Sequence, residues 1–209
     1  MRSGARLAPL ALLALAGCVD ATAVETAGVD VDLTDAPPSA PAYAGELTLT
    51  AETMLSNDGR GWWLLGVTGE SLPNQTSLGR PDGGAGAPML SLAPQVVTVT
   101  LQDGADAARL NTDALVLPDT YRFVRLLIHP GSVAALAGPL AGDSVSVVAG
   151  TRALVIQREF APQRLRASGR LTVTWDLNSE AWLTPAAIAA GVADSVAVKS
   201  AAAVSVVVR

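Results

Sequence analysis

Hydrophobic and polar residues alternate along several short stretches of the chain, and this alternation is typical of half-buried β-strands. In the first stretch, Val29, Val31 and Leu33 alternate with acidic or polar neighbours. Residues 122–129 are apolar on both faces in their second half, which predicts a central strand. Further strands are predicted at residues 46–55, 62–67, 96–102, 145–149, 153–157, 170–177, 192–199 and 203–208. So many short strands separated by turn residues predict an all-β fold, an antiparallel β-sandwich.

Turn-forming residues predict which of these strands pair. Ser56–Gly61 is rich in Asn, Asp and Gly, so residues 46–55 and 62–67 are expected to form a hairpin. The short stretch Gly150–Arg152 similarly predicts a pairing between the strands on either side of it. In contrast, Thr68–Pro94 is rich in Gly, Pro and Ser, and predicts a loop whose length is uncommon within a compact domain.

One short helix is predicted near the C-terminus, where Thr184 suits an N-cap, Pro185 suits the first helical position and Gly191 follows the end. The sequence does not decide the secondary structure of two other stretches. Residues 105–117 could hold a helical turn, and residues 133–140 predict an Ala/Gly-rich connector or a short helix.

The first residues of the chain have the three parts of an export signal. Arg2 and Arg6 form a basic start, Leu7–Leu15 is apolar, and Ala16-Gly17 supplies small residues for cleavage. The apolar run is shorter than the roughly 20 residues that cross a bilayer as a helix. It ends next to Cys18, the only cysteine of the chain, which can therefore form no internal disulfide.

The segment Leu15-Ala-Gly-Cys18 resembles the lipobox of bacterial lipoproteins. The resemblance implies that residues 1–17 are removed as a signal peptide and that the Cys18 thiol carries a lipid. Residues 18–28 are then the lipidated cysteine and a flexible tether, and residues 29–209 form a single domain. Val19 stands where an Asp would mark inner-membrane retention, so the resemblance implies an export route to the outer membrane.

Charge narrows the possible partners. The formal net charge of the 209 residues is −5, and removal of the basic signal makes the mature chain more acidic. No basic stripe with interspersed aromatic residues is present, so nucleic acid is not an expected partner. The membrane, contacted through the lipid anchor, is the partner that the sequence indicates most directly.

Four short motifs resemble an uncharacterised bacterial family of lipoprotein and secreted domains, a domain of unknown function. They are Leu33-Thr-Asp-Ala-Pro37, the pair Trp62-Trp63, Leu117-Pro-Asp-Thr-Tyr121 with Arg125-Leu126, and Trp175-Asp-Leu177 with Ser179. The chain departs from the family pattern at Asp119, where the family prefers Gly. The resemblance implies a prealbumin-like or immunoglobulin-like sandwich and brings no known activity.

Few residues suit a catalytic role. His129 is the only histidine, and no Gly-x-Ser-x-Gly elbow surrounds a serine, so a serine hydrolase is not expected. One histidine and one lipidated cysteine cannot supply the usual ligands of zinc, and no cofactor is expected. The remaining enzymatic alternative is a carbohydrate-active or other hydrolase that uses the carboxylates Asp176 and Glu180.

Two groups of residues suit ligand binding. Asp30, Asp32 and Asp35 could supply oxygen ligands for Ca²⁺, although they also fit a solvated strand face followed by an Asx turn. Trp62 and Trp63 could stack on a sugar, but adjacent strand residues face opposite ways, so at least one is expected in the core.

Tyr121 and Trp175 are expected to have structural roles. Tyr121 resembles the tyrosine corner of β-sandwiches, and Trp175 falls on the inward phase of its strand. The function that the sequence favours is a lipid-anchored envelope domain with a non-enzymatic role. It would bind an envelope protein or glycan or serve as a structural module. The alternatives are the carboxylate hydrolase and a Ca²⁺-dependent adhesion module.

Overall fold

The computed structural model describes residues 25–36, 43–65, 94–101 and 107–209. Cys18, the tether up to residue 24 and nearly all of the predicted loop 68–94 lie outside these residues. The described part is mostly β-strand with little helix. In chain order its strands and α-helices are β1 (Ala27–Thr34), β2 (Gly45–Ser56), β3 (Trp63–Leu64), β4 (Gln95–Thr100), β5 (Ala108–Val116), β6 (Asp119–Ile128), β7 (Val133–Leu136), β8 (Ser144–Ser146), β9 (Leu154–Leu165), β10 (Arg170–Asp176), α1 (Pro185–Ala190), α2 (Ser195–Ala201) and β11 (Ala203–Val208).

The strands form two sheets. The smaller sheet has the order β11-β10-β1-β5, and the larger has the order β8-β7-β2-β6-β9, with β3 and β4 also paired to β2. The mostly-β prediction is confirmed, but the smaller sheet is mixed rather than purely antiparallel. Its β1 and β10 run parallel, with Gly28 beside Arg170 and Thr34 beside Asp176. Alternation fixes which face a residue takes and carries no information on strand direction, so the sequence could not predict this pairing.

In the larger sheet, each side of the long strand β2 pairs with two shorter strands, one after the other. β6 and β7 follow each other along one side of β2, and β3 and β4 along the other. Between β6 and β7, the Thr50 N–H donates to Ser132 Oγ at 3.0 Å, and that hydroxyl donates to the His129 carbonyl at 2.8 Å. The serine thus replaces a ladder bond where Pro130 breaks the strand. β6 lies between β2 and β9, which confirms the predicted central strand.

The inward faces of both sheets contribute to one buried hydrophobic cluster. Alternation correctly predicted its members on β1, β2 and β10, since the apolar residues of each strand point to one side. Tyr121 is fully buried, and its hydroxyl donates to the Leu117 carbonyl at 2.7 Å, which confirms the predicted corner. The largest fully buried side chains include Leu33, Leu171, Trp175 and Trp182 together with Leu47, Leu49, Leu126 and Ile156.

The predicted helix is confirmed as α1. The Thr184 hydroxyl accepts a hydrogen bond from the Ala187 N–H at 3.2 Å, as expected of an N-cap. Gly191 has φ of 67° at the C-terminal end, in the left-handed region that glycine adopts at little cost.

The strand predicted at residues 192–199 is wrong, because most of this stretch belongs to α2. Asp194 caps the helix by accepting from the Val196 N–H at 2.9 Å. Val198 is buried whereas Val196 is 69% exposed, so the two valines face opposite ways, as helical spacing requires. A short run of alternating valines does not distinguish a strand from a helix, and here the Asp-Ser cap was the informative signal.

The predicted pairing across Gly150–Arg152 is also wrong. β8 pairs with β7, placing Ala134 beside Val145, and β9 pairs with β6, placing Leu126 beside Ile156. The turn therefore connects strands that lie against different partners.

The hairpin across Ser56–Gly61 is confirmed, with Met54 beside Leu64 and Leu55 beside Trp63. Of the two open stretches, residues 105–117 contain β5. Residues 133–140 contain β7 and a 3₁₀ turn at Gly138–Leu140.

Candidate functional site

The first candidate Ca²⁺ ligands, Asp30 and Asp32, lie side by side on the face of β1 away from the core. Arg109 on β5 contacts both carboxylates, with Nη1 at 3.6 Å from Asp30 Oδ1 and Nε against Asp32 Oδ1. Arg170 on β10 places its Nη1 3.1 Å from Asp30 Oδ2. Two guanidinium groups thus supply the positive charge that a cation would bring. Among the described residues, no three His, Cys, Asp or Glu side chains are grouped as a metal site would require.

Asp35, the third candidate ligand, is separated from the other two because it points to the opposite side of the strand end. Its carboxylate is 1% exposed and accepts from the Ser179 N–H at 2.7 Å and from the Ser179 hydroxyl at 2.5 Å. Ser179 is itself fully buried. A buried carboxylate with hydrogen bonds from both a backbone amide and a hydroxyl is well satisfied in place.

Asp176 also takes part in the contacts between the end of β1 and the end of β10. Its Oδ1 accepts from the Ala36 N–H at 3.2 Å and from the Asn178 N–H at 3.1 Å. In addition, the Leu177 N–H donates to the Thr34 carbonyl at 2.9 Å. We call this set of contacts between residues 34–36 and 176–179 the Asp35–Ser179 junction. Asp176, the catalytic candidate, is thus a hydrogen-bond acceptor for backbone amides, and Glu180 lies in the adjoining 3₁₀ turn.

The junction joins two of the four motifs on which the family resemblance depends. They are separated by more than 140 residues in sequence, and parallel pairing of β1 with β10 brings their ends together. The polar residues of these motifs therefore serve to connect two strands. The sequence singled out the residues but contained no signal that they would meet.

Trp62 does not present an open ring face for a sugar. Trp62 is 4% exposed, and the Arg125 guanidinium stacks on it at 3.8 Å from the ring centroid. Gln157 holds this arginine in place by accepting from Arg125 Nε at 2.8 Å. Trp63 is half-buried and packs against the core. Sugar stacking on Trp62 would require the cation–π contact to open first.

Glu52 and His129 form a pair that the sequence did not single out. They lie on the outward face of the larger sheet, with His129 Nε2 3.6 Å from Glu52 Oε1. Glu52 is 8% exposed, and this burial raises the pKa of its carboxyl above the ordinary value, against the opposing effect of His129. Outward-facing Glu52 has the same phase as Thr48 and Thr50, so alternation alone gives no sign that its side chain is buried.

Replacing Glu52 with Gln should reduce the dependence of stability on pH. The raised pKa means that folding holds a proton on Glu52 that the unfolded chain releases above about pH 4.5. The stability that this proton contributes is present below that pH and is lost as the pH rises through the folded-state pKa. Urea unfolding between pH 4 and pH 8 should show wild type losing stability relative to Glu52→Gln. Glu46→Gln, on the exposed start of the same strand, is the control, and an identical pH profile for all three proteins would contradict the prediction.

A shallow groove of about 440 Å³ lies between α1 and α2. Half of its lining residues are alanines, and Trp182 contributes the one large ring. Trp182 is 2% exposed, and its indole N–H donates to the Leu177 carbonyl at 3.1 Å, which ties the groove to the Asp35–Ser179 junction. The alternation of residues 192–199 predicted a strand where α2 lies, so the sequence gave no indication of this groove.

The chain matches no protein-family model, no curated protein and no solved structure. The family resemblance therefore stays a prediction. Within the ranges that the structure describes, no helix is both long and apolar enough to cross a bilayer.

Proposed function

We propose that the chain is a β-sandwich domain, prealbumin-like or immunoglobulin-like, which a lipid on Cys18 anchors to the outer membrane of a bacterial cell. Its role is non-enzymatic: it binds an envelope protein or glycan, or it is a structural module of the envelope. The shared hydrophobic cluster of the two sheets supports the sandwich, because sheets that pack face to face bury their inward side chains together.

The main support for a non-enzymatic role is that four candidate carboxylates are engaged in contacts within the domain. Asp176 accepts from two backbone amides, and Asp35 accepts both hydrogen bonds that Ser179 offers. Asp30 and Asp32 are held by arginines of neighbouring strands. A general acid or base needs a proton-transfer path to substrate, and a Ca²⁺ ligand needs free oxygen lone pairs. These four groups use their oxygens to hold strands together.

The position of the first strand sets how far the domain can lie from a membrane that holds Cys18. β1 begins at Ala27, two residues before the predicted start of the domain at residue 29, so eight residues separate it from Cys18. Even a fully extended tether of this length spans only about 30 Å, at 3.3–3.6 Å per residue. A lipid on Cys18 therefore holds the domain close to the membrane surface, which suits a module that acts on other envelope components.

Cys18→Ser should abolish lipid attachment, because the serine hydroxyl does not replace the thiol as the nucleophile that takes up the diacylglyceryl group. Metabolic labelling with palmitate should mark wild type and leave the variant unlabelled. The variant should also keep its signal or leave the membrane fraction. Ser3→Ala, a change within the signal that keeps the lipobox, is the control. Equal labelling of wild type and Cys18→Ser would refute the lipid anchor.

A further inference from the structure

Strand β11 is an outer strand of the smaller sheet. It pairs with β10, and among the described residues it pairs with no other strand. Arg209 and Arg170 exchange backbone hydrogen bonds at 2.8 and 3.1 Å, and such bonding recurs at every second residue of an antiparallel pair. The N–H and carbonyl groups of Val204, Val206 and Val208 therefore point away from β10, toward the place where a further strand would lie.

The sequence of β11 lacks the features that usually protect an outer strand from pairing with another chain. Its six residues are four valines, one alanine and one serine, so it contains neither a charge nor a proline. The other outer strand of this sheet, β5, contains Arg109 and Asp113 and shifts its register against β1. β9, an outer strand of the larger sheet, contains Pro162 and a register shift against β6. Of these three strands, only β11 offers a regular, uncharged edge.

The side chains along this edge are only partly covered. The same three valines of β11 face the buried cluster and remain partly exposed, as does Phe160 of β9. Arg158 of β9 donates to the Ala202 carbonyl, just ahead of β11, at 3.0 Å, so the two strands lie close together on this side of the two sheets. A strand added to β11 would cover the valines and extend the cluster.

We propose that β11 of one chain pairs with β11 of a second copy, antiparallel and about a twofold axis at Val206. In this register the outward-pointing backbone groups of Val204 meet those of Val208 of the second copy, and Val206 meets its own counterpart. Every N–H of these valines then finds a carbonyl, and the smaller sheet continues across both chains. Twofold symmetry is the commonest symmetry of protein assemblies.

The charges on the outward face favour a second copy as the partner. The exposed Arg209 would lie opposite Ala203 of the second copy, whose neighbour on β10 of its own sheet is Asp176. The small alanine leaves room for the guanidinium group to approach this carboxylate, and the twofold axis repeats the contact at the other end. Nearer the axis, Ser205 would lie opposite Val207, and neither carries a charge.

Because β11 is short, we expect this pair to be weak in dilute solution. The strand offers six residues, whereas a standard interface has about 20–30 residues on each side. Confinement of two anchored copies to one membrane would raise their effective concentration. The pairing itself does not depend on the proposed lipid anchor, which affects only how much of the pair forms.

Disulfide formation in membranes of cells that express the full chain tests the register. Across the twofold axis the Cα atoms of the two residues 206 should be about 5.5 Å apart, within the range of a disulfide. The two residues 207 would be diagonal neighbours about 8 Å apart, which is too far. Val206→Cys should therefore form about ten times more disulfide dimer than Val207→Cys, although Val207 is the more exposed residue.

Paired lysines supply a second test in the Val206→Cys chain. Ser205→Lys with Val207→Lys places lysines opposite lysines across the proposed pair, which should reduce the disulfide dimer about tenfold. Thr172→Lys with Thr174→Lys is the matched control, because these threonines lie beside the same two residues on β10. Its charges are one strand further from the second copy, so it should change the yield by less than about twofold. Urea unfolding checks that each variant is folded.

Equal or greater dimer formation by Val207→Cys would overturn the proposal, because random collision favours the more exposed thiol. Equal losses for the two lysine variants would also overturn it. An adduct of Val206→Cys whose mass is not twice that of the chain would show that another protein occupies β11. A disulfide dimer of the parent chain would come from Cys18 and would refute the lipid anchor alone, and the variants are then compared in the Cys18→Ser chain.

Discussion

Replacing Trp175 with Ala should lower the free energy of unfolding by about 3–5 kcal/mol, the range for removal of a large buried aromatic side chain. Trp175 is fully buried on β10. It lies beside Leu33 of β1 on one side and Val204 of β11 on the other, so it contacts the middle of the smaller sheet. An alanine at this position would leave a cavity among strands whose backbones are fixed by pairing on both sides.

The adjacent residue gives the control for this prediction. Thr174 is partly exposed on the outward face of β10, so Thr174→Ala should stay within about 0.5 kcal/mol of wild type. Urea unfolding of both variants measures the two effects directly. Similar losses at the two positions would mean that β10 is buried on both faces. A small loss at Trp175 would mean that its ring is accessible, and would restore sugar stacking as a possible role.

Replacing Asp35 with Ala should lower the free energy of unfolding by about 3 kcal/mol. The carboxylate accepts two hydrogen bonds from Ser179, and hydrogen bonds to a charged group contribute about 1.5–3 kcal/mol each before relaxation is considered. Both residues are buried, so water cannot readily replace the lost acceptor. The Asp35–Ser179 junction also fixes the end of the parallel pair, which should transmit the loss to β1 and β10.

A double-mutant cycle separates this contact from a general effect of the substitution. Ser179→Ala should cost less than Asp35→Ala, because its backbone N–H remains as a donor. The double variant should be little worse than Asp35→Ala alone, since the shared hydrogen bond is already lost. Asp143→Ala, an exposed aspartate in a turn, should change stability by less than about 0.5 kcal/mol. Additive losses in the cycle would contradict the coupling that the structure indicates.

Local patterns predicted the features that depend on neighbouring residues alone. The period of two identified β1, β2 and β10 and their inward faces, because successive strand residues point to opposite sides. The hydroxyl of Thr184 and the glycine at 191 marked the two ends of α1, since capping involves only a few adjacent groups. Tyr121 bonds to a carbonyl four residues earlier, which is also a local contact.

The tertiary structure decided what depends on residues far apart in the chain. Asp35 could have been a calcium ligand or a turn former, and its acceptor role follows only from its contact with Ser179. Trp62 could have been an exposed surface for sugar stacking, but the guanidinium group of Arg125 on β6 covers its ring. In both cases the sequence identified the side chain correctly but gave no sign of which distant residue it contacts.

The division has one physical cause. Alternation and capping are fixed by backbone geometry over a few residues, so the amino-acid sequence by itself determined most of the strands, the α1 helix and most of the core. Strand direction depends on which distant segments pack together. That packing is chosen by the burial of the whole core. The sequence therefore determined the mostly-β character of this protein. The parallel β1–β10 pair, and with it the Asp35–Ser179 junction, was decided only by the tertiary structure.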